Sequence, residues 1–127
     1  MVLSDRPVKR VLIVEDDEDI RDVLLQVLEL EGYRVVAAAN GQEALALLRN
    51  GEHPDLILLD LMMPVMDGWQ FRAEQQKHSE WSEIPVVILS AHGNAQQKAA
   101  GIQAAGYLRK PVELETLLNT VKNNCLA

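Results

Sequence analysis

The sequence predicts a doubly wound α/β fold, a parallel sheet covered by helices on both faces, from three observations. Short apolar runs alternate along the chain with stretches of helical period. The strongest runs show no polar and apolar alternation, which is the pattern of strands buried on both faces. Each run also ends abruptly in a polar residue. The unusual side chains therefore gather at the carboxyl ends of the strands, where sheets of this kind bind their ligands.

The elements follow in order. Val11-Leu12-Ile13-Val14 is the first strand, ending in Glu15-Asp16-Asp17-Glu18-Asp19. Ile20, Val23, Leu24, Val27 and Leu28 then share one face of a helix that starts among acids suited to its N-terminal dipole and stops at Gly32. Arg34 to Ala38 is a weaker second strand. Gln42 to Asn50 is a second helix, with Gly51 placed to end it. Asp55 to Asp60 is the third strand, and the DLMMPVMDG stretch from Asp60 to Gly68 must turn because of Pro64 and Gly68. Gly68 to about Ser79 is helical in composition but poor in period. Pro85 to Ser90 is a fourth buried strand. Asn94 to about Ala105 reads as a helix rich in alanine and glutamine, with Ile102 as its only large aliphatic residue. Tyr107-Leu108-Arg109 is a short fifth strand leading into Lys110-Pro111. The last helix, Glu113 to about Asn123, carries Leu114, Leu117, Leu118 and Val121 on one stripe.

A chain of 127 residues is one domain on length, spanning 1–127 with a core from about residue 10 to 123. An apolar fraction of 48% and a charged fraction of 24% are those of an ordinary globular protein. No stretch has the length of a membrane span or the apolar core of a signal peptide. The single cysteine, Cys125, excludes an intramolecular disulfide and agrees with a cytoplasmic location. A net charge of -7 argues against nucleic acid and anionic membranes as partners and favours metal ions and basic protein surfaces.

Doubly wound topology brings Glu15 and Asp16, Asp60, Ser90 and Lys110 to one crevice. Three carboxylates there repel one another unless a cation sits between them. Hard oxygen donors without paired histidine or cysteine point to Mg2+, which keeps several waters and accepts a phosphate oxygen. Lys110 adds a mobile positive charge and Ser90 a hydroxyl. This is an electrostatic kit for placing a phosphoryl group on Asp60. A flavin protein would need a phosphate-binding loop after the first strand, where this chain has acids. A phosphatase with an aspartate nucleophile would carry a second acid two residues on, where this chain has Met62.

In VLIVEDD, DLMMPVMDG, VVILSA and YLRKP the chain resembles the receiver domain of bacterial two-component response regulators, over about Arg10 to Asn123. The resemblance implies a flavodoxin-like sheet of order 2-1-3-4-5 with five helices, in a single-domain protein similar to chemotaxis regulators. It implies Asp60 as phosphoacceptor and Mg2+ held by Asp16, Asp60 and the Met62 carbonyl, with Glu15 acting through water. It also implies a reorienting hydroxyl at Ser90, a switch aromatic at Tyr107, the family lysine at Lys110 and a cis Lys110-Pro111 peptide. The implied partners are a sensor histidine kinase or histidine phosphotransfer protein and a downstream protein target, met through the fourth helix, fifth strand and fifth helix. The implied product is a switch rather than an enzyme, which assists its own phosphorylation and dephosphorylation. A monomer or weak dimer is expected. With no output domain after the last helix, a stand-alone switch or phosphorelay intermediate is expected. The alternatives are a phosphate-independent interaction module and a receiver fragment of a larger regulator or hybrid kinase.

From Ser90 to Lys110 the chain is about two residues shorter than the family pattern, and the glycine that usually precedes the tyrosine by several residues is displaced to Gly106. The resemblance implies that Met62 and His92, two residues past Asp60 and Ser90, flank the path of an attacking water. Plainer readings stand beside these. Asp60 alone would be a turn cap, and Ser90 a strand-end cap. Asp17, Glu18 and Asp19 read as a solvated helix start. Tyr107 reads equally well as core packing. Met62, Met63 and Met66 read as loop packing, the three histidines as surface residues, and Cys125 as inert.

Overall fold

The computed structural model describes residues 8–91, 97 and 100–125. In chain order the elements are β1 (Arg10–Val14), α1 (Glu18–Leu30), β2 (Arg34–Ala38), α2 (Gly41–Arg49), β3 (Leu56–Asp60), α3 (Gly68–Gln76), β4 (Val86–Ser90), β5 (Gly106–Arg109) and α4 (Leu114–Asn124). The five strands form one parallel sheet in the order β2-β1-β3-β4-β5, as the resemblance implied.

Strand side chains alternate between two cores. Leu12, Val14, Ile57, Leu59, Val86 and Ile88 pack under α2 and α3 with Leu45, Leu48 and Phe71. Val11, Ile13, Leu56, Leu58, Val87 and Leu89 pack under α1 and α4 with Leu24, Leu28, Leu117 and Val121. Because both faces are covered, these strands read as unbroken apolar runs. Three of the helix starts are capped by side chains, and that of α4 is not. Asp17 accepts from the Ile20 N–H, Asn40 from that of Glu43, and Asp67 forms a capping box with Gln70. Gly32 and Gly51 take positive φ where α1 and α2 end.

Three expectations need correction. The third helix ends at Gln76, not near Ser79. The Lys77 and His78 N–H groups bond back three residues to Glu74 and Gln75, which tightens and closes the last turn. Among the described residues four helices are delineated. Of the helix expected over residues 94–105, five residues lie outside the described ones, and of the other seven Gln97, Ala100 and Gly101 are helical. It ends before Ala105, because Gln103 is left-handed at φ 56° and the Ala105 N–H already pairs with the Val86 carbonyl. In the shortened stretch from Ser90 to Lys110, residues 92–96, which include His92, and residues 98 and 99 lie outside the described ones. Finally, Met63 and Met66 pack against the core as expected, but the Met62 side chain is exposed.

The loop between β3 and α3 is held tightly. Val65 has φ 69°, and the Met66 N–H reaches the Pro64 carbonyl at 2.7 Å. This is a γ-turn of the rare positive-φ kind, centred on a β-branched residue that disfavours it. Its other side is braced by α2. The Gly41 N–H donates to the Met66 carbonyl at 3.1 Å, and a Cβ on Gly41 would lie 2.8 Å from the Met66 side chain. Val65→Gly should therefore stabilise the protein by about 1 kcal/mol, the strain relieved less the entropy that glycine adds to the unfolded chain. The expected reading is a higher urea midpoint at unchanged slope. A lower midpoint would show that the turn stores no strain.

Candidate functional site

Strand register sets the site. Val14 lies opposite Leu59, Asp60 opposite Leu89, and Ser90 opposite Arg109. Glu15, Asp60, Ser90 and Lys110 therefore leave the sheet along one edge. With Asp16 and the Met62 turn they line a single cleft of about 300 Å³. Tyr107 does not line it. Tyr107 is 39% exposed and borders a separate groove with Pro111, Val112 and Thr116.

Each member is positioned by its own local structure. Glu15 is fully buried. One of its carboxylate oxygens accepts from the Asp17 N–H at 3.3 Å, and the other lies 2.5 Å from the Lys110 ammonium. Asp16 is exposed at the mouth. Asp60 is buried, accepts from the Met62 N–H at 3.2 Å, and stands 3.6 Å from Lys110. Ser90 is buried, and its carbonyl accepts from the Lys110 N–H at 2.8 Å. The Lys110-Pro111 peptide is cis.

The electrostatics are unbalanced. Burial, followed by the hydrogen bond and the negative charge of Glu15, raises Asp60 from 3.8 to about 7, while Lys110 and the Met62 N–H only partly oppose this. Burial works against the Lys110 charge. The hydrogen bond to Glu15 and the charges of Asp60 and Glu15 outweigh it and raise Lys110. One oxygen from each of Glu15, Asp16 and Asp60 lies within 4.8 Å of the others, so the cluster could hold a metal ion. The donor set fits a hard divalent cation. It offers three carboxylates against one ammonium, and the buried Glu15 Oε1 is met by the Lys110 ammonium alone among the positive charges of the described residues.

Two supporting residues escaped sequence reading. Arg21 folds back from α1 to donate to the Glu15 carbonyl at 2.9 Å, and nothing in the helix pattern signals this. Gly68 reads as a helix start, yet its absent side chain lets α3 approach the site. A Cβ there would lie 2.7 Å from the Asp60 carbonyl oxygen and the Leu61 Cα.

The family model described as the response regulator receiver domain matches residues 11–122. The chain belongs to that family. This receiver domain is 40% identical over 114 residues to protein PilH of Pseudomonas aeruginosa, covering 88% of this chain and 93% of PilH. Its fold is similar to that of the chemotaxis protein CheY4 of Vibrio cholerae, with a TM-score of 0.85 and 33% identity over 93% of this chain and 99% of CheY4. It is also similar to the response regulator TrrA of Thermotoga maritima in complex with Mg2+ and BeF, with a TM-score of 0.80 and 31% identity over 91% of this chain and 98% of TrrA. The chain spans about half the length of other curated relatives it matches, 48% in the case of the probable transcriptional regulator ycf27 of Porphyridium aerugineum. Among the described residues, no helix is long and apolar enough to cross a membrane.

The raised Asp60 pKa has a consequence for stability. The folded protein holds this proton more tightly than the unfolded chain. The stabilising contribution is complete below about pH 4 and is lost as pH rises through about 7. In metal-free buffer, Asp60→Asn should therefore stabilise the receiver domain by about 1–3 kcal/mol at pH 8 and by much less at pH 4.5. Denaturant titrations at the two pH values check this, and an equal gain at both would contradict the assigned cause.

Proposed function

We propose that residues 10–123 act as one phosphoacceptor switch, in which Asp60 takes a phosphoryl group from a histidine kinase or a histidine phosphotransfer protein in a Mg2+-dependent reaction. The observation that carries this reading is the convergence of Asp60 with Glu15, Asp16 and Lys110 in one cleft of excess negative charge. Support also comes from TrrA, a similar receiver whose structure is a complex with Mg2+ and BeF.

An Asp60 carboxylate oxygen attacks the phosphorus of a phosphohistidine, the P–N bond breaks, and the imidazole leaves and takes up a proton from solvent. Asp16, Asp60 and the main-chain carbonyl of Met62 are the residues to hold Mg2+, with Glu15 acting through water. The ion would supply charge neutralisation at the carboxylates and at the transferring oxygens. Lys110 sits between Glu15 and Asp60, and a phosphoryl group on Asp60 offers it a stronger anion to pair with. The Ser90 hydroxyl is the nearby donor that would turn to the same group. Tyr107, exposed on the edge strand, would then move inward and alter the face formed by the fourth helical segment, β5 and α4. That face would regulate a protein target or accompany onward transfer of the phosphoryl group.

A protein donor is favoured over a small molecule by what flanks the cleft. An apolar groove of about 280 Å³, lined by Ile20, Val23, Leu24, Pro111 and Val112, adjoins Lys110. Val23 is 59% exposed in that groove. An exposed apolar surface beside a polar cleft is characteristic of protein docking. The net charge of -7 agrees with a basic protein surface as partner rather than with nucleic acid or an anionic membrane.

Incubation with acetyl phosphate and Mg2+, read by intact mass, should give one phosphoryl adduct on the wild type. Asp60→Asn should give none, and chelation of the metal should abolish the adduct. No adduct on the wild type, or an undiminished one on Asp60→Asn, would overturn the proposal. Lys110→Ala should still bind Mg2+, since removing the ammonium deepens the negative field. It should lose the spectroscopic change that follows phosphorylation. Loss of metal affinity in this variant would contradict the role given to Lys110.

A further inference from the structure

Five polar or charged residues are buried among the described residues. Glu15, Asp60 and Ser90 line the cleft, while Arg72 and Gln75 on α3 do not. Arg72 is 7% exposed and Gln75 is fully buried. Among the described residues no carboxylate pairs with Arg72. Its guanidinium is satisfied by neutral oxygens instead. Nε donates to the Ile102 carbonyl at 3.1 Å, Nη2 to the Gln103 carbonyl at 3.0 Å, and Nη1 to Gln75 Oε1 at 2.8 Å. The Gln75 amide in turn donates to the Trp81 and Ile84 carbonyls at 2.8 and 3.0 Å, which fixes the orientation of the oxygen it offers Arg72.

The two carbonyls that Arg72 binds lie where a helix stops. Ala100 and Gly101 are helical, the Gln103 N–H bonds back to the Ala100 carbonyl at 3.3 Å, and Gln103 itself is left-handed. The last carbonyls of a helix lack partners within it and carry the negative end of its dipole. A guanidinium from another element is a cap for them, and its rigid fork reaches two at once. Apolar support here is thin. Ile102 and Ala104 are only half-buried against the core. Charge-assisted hydrogen bonds, stronger than neutral ones, therefore count for more than burial in holding this turn.

We propose that Arg72, oriented by Gln75, is a latch that holds the turn from Ala100 to Ala105 against α3. When it is released, this turn and the start of β5 open as one unit while the rest of the sheet stays folded. The unit includes the approach to Tyr107 on the edge strand, so the latch governs the shape of that face. It stands on the α3 geometry alone and does not depend on phosphoryl transfer at Asp60.

Native-state hydrogen exchange tests it. The Gln103 and Ala105 amides donate to Ala100 and Val86 and report on the turn, whereas the amides of β1 and β3 report on global unfolding. In Arg72→Met, which keeps length and removes every donor, Gln103 and Ala105 should exchange at least about tenfold faster than in the wild type, beyond any change in β1 and β3. Arg72→Lys keeps the charge without the fork and should fall between the two. The same acceleration throughout the protein, or none at Gln103 and Ala105, overturns the latch. Should Arg72→Met fail to fold, Arg72→Lys decides by the same comparison.

Discussion

One ammonium lies between two buried carboxylates, and the layout of the sheet is what makes that possible. Lys110 follows β5, Glu15 follows β1 and Asp60 ends β3, yet in the sheet β4 separates β5 from β3, and both β4 and β3 separate it from β1. The three groups meet only because parallel register brings the strand ends level and each chain turns inward beyond its strand. A slip of one residue in any of these strands would turn its side chains to the opposite face and remove one member from the cleft. The unbroken apolar runs, buried on both faces, make such a slip costly. They are as much a part of the site as the charges.

Most of this was legible in the sequence, for a physical reason. Strands buried on both faces must be apolar at every position, so a polar residue is tolerated only where the strand ends. Glu15, Asp60 and Ser90 therefore announced themselves by position as well as by chemistry. α3 was harder to read. Its buried residues are Gly68, Phe71, Arg72 and Gln75, a helical spacing of i, i+3, i+4 and i+7, but three of the four are not hydrophobic. The period was present and its usual chemical label was missing. The turn before β5 misled in the opposite sense. Its alanine and glutamine composition favours helix up to Ala105, whereas capping from Arg72 and pairing with β4 end the helix earlier. Tyr107 could not be assigned from sequence, because inward and outward positions on a four-residue edge strand look alike until the sheet is assembled.

Departures from local preference gather around the loop after Asp60. Val65 holds a backbone conformation that β-branched residues resist. Gly41 and Gly68 bring two helices closer to that loop than any side chain would allow. The turn is thus over-determined from two sides, which is the condition under which strained backbone persists. The consequence falls on Asp60, whose carbonyl is contacted by α3 and whose carboxylate is held by the Met62 N–H.

The two buried polar clusters among the described residues differ in what they lack. At the cleft, two of three clustered carboxylates share one lysine, and burial with the neighbouring Glu15 raises the Asp60 pKa to about 7. That arrangement is improved by any cation that enters, and the cleft opens to solvent at Asp16. On α3, a single guanidinium is surrounded by carbonyl and amide oxygens and sealed from water, so an added ligand would gain nothing there. An unsatisfied charge at an open mouth is built to bind, and a satisfied charge in a closed one is built to hold. Both sit on elements that pass beside Asp60. The turn that Arg72 binds rests on polar contacts beside thin apolar packing, and such contacts can be exchanged without rebuilding the core.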